Sequence, residues 1–290
     1  MSKSLDQARY EVARANRTLA NEGVLDGFGH VSMRHPDDAE RYLLSRSRSP
    51  ELIQPDDILE FTLDSAPVKK PDRELYAERV IHGAIYQMRP DVSAVVHHHS
   101  PDIMPFAISG TELVPVFHLG AVVGTHVPFW NQADEFGDTN MLVVKPEEGR
   151  SLATALGPHS MVLMRNHGAT VVAADLPKLV FRAIFSCMNA RYQLQSAMLS
   201  RVTRLRDGEI ELAGVIGNLP TAILRASEYW SMRLDKAEGN TPQSTKKATA
   251  APATRLSGKP AKPPSKSSQS KQAKAGRAAS SRGSAKGRRR

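Results

Sequence analysis

Residues 94–101 read Ala-Val-Val-His-His-His-Ser-Pro, an apolar run that drives into three consecutive histidines and then meets a helix-start signal. Successive side chains of an extended strand alternate faces, so His97 and His99 point one way and His98 the other. Two imidazoles roughly 7 Å apart along such a strand can converge on one ion. Ser100 reads as an N-cap and Pro101 as the first helical residue. A chance surface cluster or tag does not follow Ala-Val-Val in mid-chain, so the stretch is read as half of a metal site at a strand end.

The remainder of the chain bounds what that site can belong to. With 290 residues, 40% of them hydrophobic, there is material for one sizeable core or two small ones. No apolar run approaches the ~20 residues of a membrane span, and Met-Ser-Lys-Ser-Leu-Asp lacks the apolar centre of a secretory signal. The single cysteine, Cys187, lies in an apolar helical pattern and reads as a buried small hydrophobe. A cytoplasmic protein is the expectation. The net charge of +9 divides unevenly: residues 241–290 hold 8 Lys and 6 Arg with no acidic residue, +14, which leaves −5 for the first 240. Residues 237–290, rich in Lys, Arg, Ala, Ser and Pro, are expected to be a disordered tail after a domain over 1–236. Such a tail suits non-specific contact with nucleic acid through counterion release, and without interleaved aromatics it is not expected to stack on bases.

Taken in order, Leu5, Ala8, Val12, Ala15 and Leu19 line one helical face, stopped by Gly23. Short strands are expected at 28–34, 42–45 and 58–63. Pro71-Asp72 opens a helix over 73–88, followed by the histidine strand and a short helix from Pro101. An irregular stretch follows through Trp130. A helix over 146–156 stops at Gly157-Pro158, and an apolar strand from Ser160 ends at Arg165-Asn166-His167-Gly168. Long helices are expected over 176–200 and 219–234. Strands mixed with helices around one core predict an α/β domain.

His167 is the best third ligand, because it ends an apolar strand beside a glycine that lets the backbone turn at a crowded site. Glu74, Glu78 and His82 lie four apart on the preceding helix. Spacing alone does not choose between the two glutamates, and His82 is equally a ligand or a hydrogen-bond partner of one. Three imidazoles, a carboxylate and an open position describe a catalytic centre rather than a closed structural one. Taken singly, His30, His35, His118, His126 and His159 read as structural or exposed.

The segments Glu78-Arg79-Val80-Ile81-His82, Tyr86-Gln87, Arg89-Pro90-Asp91, Ala94 to His99 and Arg165-Asn166-His167-Gly168 together resemble the class II aldolase and adducin family over residues 5–230. The resemblance implies that His97, His99 and His167 hold one divalent metal ion per subunit, and that Glu78 is the acid/base beside it. It also implies a three-layer α/β/α domain with a central, mainly antiparallel sheet, assembled as a homotetramer. Adducin-like scaffolds of the family lack the histidines, which this chain keeps.

Within the family, the phosphate-handling aldolases carry Asn-x-Ser, a serine pair before the glutamate and a catalytic tyrosine. Here these positions read His30-Val31-Ser32, Tyr76-Ala77 and His118-Leu119. Phe-Gly-His-Val-Ser-Met-Arg-His-Pro and Arg-Tyr-Leu-Leu-Ser-Arg-Ser are closer to the decarboxylases of hydroxylated ring dicarboxylates or of 2-hydroxy-3-carboxymuconic semialdehyde. That likeness implies a carboxy-lyase of aromatic degradation acting on a small carboxylate, with an aldolase, epimerase or dehydratase on a sugar-like substrate as the alternative. A non-catalytic scaffold with a nucleic-acid-binding tail is the third reading. His30, Ser32 and Ser45 would orient substrate, Arg46 or Arg48 would grip a second carboxylate, and His118 would assist proton transfer. Imidazole and carboxylate ligands suit zinc, manganese, iron or cobalt, with zinc and manganese foremost.

Overall fold

The computed structural model describes residues 4–240, so the basic tail lies outside the described residues. A seven-stranded sheet runs in the order β3-β2-β1-β4-β7-β6-β5, and every neighbouring pair is antiparallel except β5–β6. The strands are β1 (His30–Arg34), β2 (Arg41–Ser45), β3 (Ile58–Thr62), β4 (Ala94–His98), β5 (Phe129–Trp130), β6 (Met161–Met164) and β7 (Gly168–Ala173). Period-two alternation sorts their side chains into two cores. Val31, Met33, Leu43, Ala94, Val96 and Val171 face one core, which they share with α1 (Leu5–Asn21), α6 (Leu176–Leu199) and α8 (Pro220–Ala237). Tyr42, Leu44, Phe61, Val95, Val162 and Val172 face the other, shared with α2 (Arg79–Met88) and α5 (Pro146–Leu156). This is the expected α/β/α sandwich. No helix among the described residues is long and apolar enough to cross a membrane.

Local signals set several of these elements. Ser4 caps α1 by accepting the Gln7 N–H, and Ala8, Val12, Ala15 and Leu19 are buried along the expected face. Buried Asn16 then ties the helix to the sheet, donating to Val12 O and accepting from the Val31 N–H. Asp175 caps α6 through the Lys178 N–H at 2.8 Å. Gly157, with φ +51°, ends α5 where expected.

Three elements depart from the local signals. The helix expected from residue 73 begins only at Arg79, because the backbone before it pairs with the chain leaving β2. The Ser47 N–H donates to Glu74 O, Leu75 bridges Arg46, and the Tyr76 hydroxyl donates to Arg48 O. The short helix after β4 starts at Met104 as α3 (Met104–Ser109), since Pro101 to Ile103 form a turn over Ser100 O. Gly168 does not end a strand but opens β7, so that 165–167 form a hairpin turn with Asn166 in the left-handed region. Two further helices, α4 (Ala133–Phe136) and α7 (Asp207–Gly217), carried no signal strong enough to predict.

Candidate metal centre

Each ligand candidate arrives on a different backbone device. β4 carries His97 on the face of the α2/α5 core, and His98 turns to the α1/α6 side, where its Nδ1 accepts the Ser100 N–H. His99 lies just past the strand, where the chain bends, so its Nε2 comes to 3.0 Å from that of His97 instead of standing a full strand repeat away. His167 occupies the β6–β7 hairpin turn. That turn packs hard on β4: a Cβ at Gly168 would stand 2.3 Å from His98 O. Gly29, with φ +88°, makes a similar approach to His97 O from the β1 side. Glu78 is the residue before α2, and its Oε1 accepts the Val143 N–H at 3.0 Å.

The four side chains converge. One ligand atom from each of Glu78, His97, His99 and His167 lies within 4.8 Å of the others. Glu78 Oε1 is 3.5 Å from His167 Nε2, and its Oε2 is 3.7 Å from His97 Nε2. A tetrahedral ion with bonds of about 2.1 Å spaces its ligand atoms by roughly 3.4 Å, so the separations suit one cation. Thr170 Oγ1, 3.3 Å from His97 Nδ1, can accept that nitrogen's proton and leave Nε2 free to bind metal. Protonation states agree. Burial, reinforced by His167 and His99, holds His97 far below the ordinary imidazole range. Burial and then His99 lower His167 to about 4, and burial also lowers His99. All three are therefore neutral donors at pH 7. Burial raises Glu78 to about 7 against the opposing effect of the Val143 N–H. Three neutral nitrogens and one carboxyl, with no cationic side chain among them, fit a divalent metal ion.

The other sequence candidates separate. Glu74 is exposed and sits outside α2, so it shares no helical face with Glu78. His82 is buried and bonds to His30 and Ser32 rather than to the cluster. His30 stands directly opposite His97 in the β1–β4 register, with ring centroids 5.3 Å apart. Ser32 and Ser45 are fully buried, and Ser32 bonds to His82 and Tyr86. Arg46 and Arg48 are committed to Asp57, at 2.6 and 2.7 Å, with Arg73 at 3.4 Å. Neither arginine is a free carboxylate receptor. His118 is exposed on a short 3₁₀ turn, His118–Val123, and among the described residues no contact joins it to the cluster.

Arg165, in the motif Arg165-Asn166-His167-Gly168, stands beside the cluster's hairpin ligand. It lines a cavity of about 200 Å³ with His167, Met141, Gln132 and Thr139, and the exposed carboxylate of Asp138 is also on its wall. Its guanidinium has no hydrogen bond or ion pair among the described residues. The signal for it was its position two residues before His167 in a turn, which becomes meaningful only once that turn is known to be a hairpin.

The α/β/α fold thus carries a three-histidine, one-glutamate cluster that could hold a metal ion, at the meeting of β4, a hairpin and a helix start. The chain belongs to the class II aldolase and adducin N-terminal domain family, whose model matches residues 10–194. It is 32% identical over 234 residues to decarboxylase tropJ of Talaromyces stipitatus, covering 73% of this chain and 88% of that protein. Over 192 residues it is 30% identical to 3,4-dihydroxyphthalate decarboxylase of Arthrobacter keyseri, covering 61% of this chain and 73% of that one. The fold matches an L-fuculose 1-phosphate aldolase from Glaciozyma antarctica with a TM-score of 0.68 at 19% identity, over 82% of this chain and 94% of that chain.

Proposed function

We propose that the chain is a divalent-metal-dependent carboxy-lyase acting on a hydroxylated aromatic or ring-fission carboxylate of the 2-hydroxy-3-carboxymuconic semialdehyde type. The observation that carries this reading is the convergence of the buried Glu78 carboxyl with three neutral imidazoles, one ligand atom from each lying within 4.8 Å of the others. Relatives named as decarboxylases support the reaction class. His97, His99 and His167 would hold the ion, with zinc or manganese suiting the donors. When bound, such an ion supplies a Lewis acid that draws electron density from a substrate oxygen.

The chain's own residues supply the remainder. Loss of carbon dioxide leaves an electron pair on the substrate carbon, and that carbon must gain a proton. Glu78, whose carboxyl burial raises, stands among the three imidazoles where it can deliver a proton and regain one. His30 faces the cluster and orients the substrate oxygen, with Ser32 acting on it through His82. We assign the second carboxylate to Arg165, whose guanidinium is free, in place of Arg46 or Arg48. A homotetramer is part of the same reading. Exposed Met198, Leu199, Leu212 and Val215 at the end of α6 and on α7 offer an apolar surface for it. We also keep the domain boundary near residue 236, one residue before α8 ends, and the tail as a weak, salt-dependent nucleic-acid contact.

The test is metal analysis of the purified full chain, followed by assay of carbon dioxide release from hydroxylated aromatic dicarboxylates and ring-fission dicarboxylates. Stoichiometric metal and metal-dependent carbon dioxide release are expected. An aldehyde product without carbon dioxide would transfer the chain to the aldehyde-lyases. Arg165→Gln is expected to raise KM at least about tenfold for a dicarboxylate and little for its monocarboxylate, the size of a lost charged hydrogen bond.

A further inference from the structure

Behind His30 runs a buried chain of four polar groups that the proposed reaction does not by itself require. Tyr86 OH lies 2.8 Å from Ser32 Oγ, and Ser32 Oγ lies 2.6 Å from His82 Nδ1. His82 Nε2 in turn lies 2.6 Å from His30 Nδ1. Tyr86, Ser32 and His82 are each at most 1% exposed, and His30 is 3% exposed. Among the described residues no acidic group joins the chain, and a neutral imidazole, a hydroxyl and a phenol each carry one proton. The chain therefore holds four protons, one on each group, for three links.

One proton is always left over, and the two directions of the chain place it at opposite ends. If protons point away from His30, the spare one is the Tyr86 O–H, deep in the core with no second acceptor among the described residues. If they point toward His30, Tyr86 donates to Ser32, Ser32 to His82 Nδ1, and His82 Nε2–H to His30 Nδ1. The spare proton then sits on His30 Nε2. That nitrogen has no partner among the described residues, on a ring packed between Tyr76 at 4.6 Å and His97 at 5.3 Å. A donor without an acceptor is disfavoured by roughly tenfold to a hundredfold in population; Tyr86 is walled in by the α2/α5 core, whereas His30 stands beside the ligand cluster, where water or a substrate oxygen can accept, and this favours the second direction.

We propose that Tyr86, Ser32 and His82 are positioning residues that lock His30 in its Nε2–H tautomer, so that it donates to the substrate oxygen gaining negative charge beside the metal centre. This deepens the carboxy-lyase reading and rests on it only for what the donor faces. A neutral imidazole N–H aimed at developing charge is an oxyanion donor that needs no reorganisation when the charge appears.

Nitrogen-15 spectra of the metal-free full chain, labelled at histidine, test the lock without any assay. His30 and His82 are each expected to carry the proton on Nε2 and accept at Nδ1. A proton on His30 Nδ1 would overturn the inference, and the wild-type spectrum alone decides this. Ser32→Ala cuts the chain where both hydroxyl protons pass, so both His30 tautomers should then appear; an unchanged His30 pattern in a folded variant also overturns it. In the loaded enzyme, His30→Leu should lose about a hundredfold in kcat with KM little changed, and His30→Gln, which keeps an N–H, should recover part of it. An equal kcat for His30→Leu and wild type would remove the donation step. If the tautomers are as expected but no carboxylate is decarboxylated, the lock stands and the proposed reaction fails.

Discussion

Two buried carboxylates in this fold are each ringed by three basic side chains, and they behave in opposite ways. Glu78 meets three histidines, and Asp57 meets Arg46, Arg48 and Arg73. Burial opposes the charge on both. Around Asp57 the Gln54 N–H and the permanently charged guanidinium groups overcome it, and the carboxyl titrates below its ordinary range. Around Glu78 the neighbours are themselves neutral, so burial prevails and the carboxyl rises to about 7. The number of basic neighbours does not make a proton donor; their state of charge does. One cluster can exchange protons and ligate an ion, and the other pins a loop.

Removing a histidine should break the contrast most severely. His97→Ala is expected to empty the centre and cut activity by more than about a hundredfold, read as metal per chain after dialysis together with turnover. Retention of full metal would mean that the ion sits elsewhere. Glu78→Gln keeps an oxygen for the Val143 N–H but removes the exchangeable proton. Turnover should fall about a hundredfold to ten-thousandfold while the histidine ligands still bind metal.

At the other carboxylate, Asp57→Asn strands arginines that are themselves one-fifth to one-half exposed. After allowance for that exposure, a loss of roughly 1–2 kcal/mol is expected, or a few degrees in Tm, with metal content unchanged. A loss of metal here would show that the two clusters are coupled.

Acid should sharpen the comparison further. His82 is lowered by burial to about 3 from an ordinary value near 6.5, so the unfolded chain takes its proton first. The stability this group contributes is full above pH 6.5 and declines by about 1.4 kcal/mol per unit as pH falls toward 3. Asp57, depressed in the fold, contributes stability above about pH 3.9 that is lost only as pH falls through its still lower folded value. Denaturant midpoints should therefore begin to drop below pH 6.5, before any carboxylate of ordinary pKa titrates. Flat midpoints between pH 6.5 and 5 would exclude this role for His82.

The histidine strand was legible because its signal is local: an apolar run of period two that ends in the ligands themselves. The two sheet faces followed from the same alternation. Choosing Glu78 over Glu74 needed the resemblance, because the helix assumed to carry both had lost its first turn to a backbone pairing with residues 46–48. Arg46 and Arg48 read as free cations because their partner, Asp57, lies beyond a loop in the sequence and beside them only in the fold. The place of Arg165 is hidden for the converse reason, since it depends on a hairpin turn where the sequence alone shows only the end of a strand at Gly168. Ser32 and His82 were singled out as individual residues, but the hydrogen-bonded order that joins them spans 50 positions.

The contact at Gly168 has a consequence for how the centre can change. The two ligand-bearing segments meet there main chain to main chain, with no room for a single carbon between them. The bite offered to an ion is thus fixed by how closely two backbones lie, and exchanging neighbouring side chains one at a time leaves it where it is. Even alanine at this crossing would wedge the hairpin from β4 and widen the gap between His167 and the His97–His99 pair. Selection for a larger or smaller cation would have to begin at this glycine rather than at the histidines.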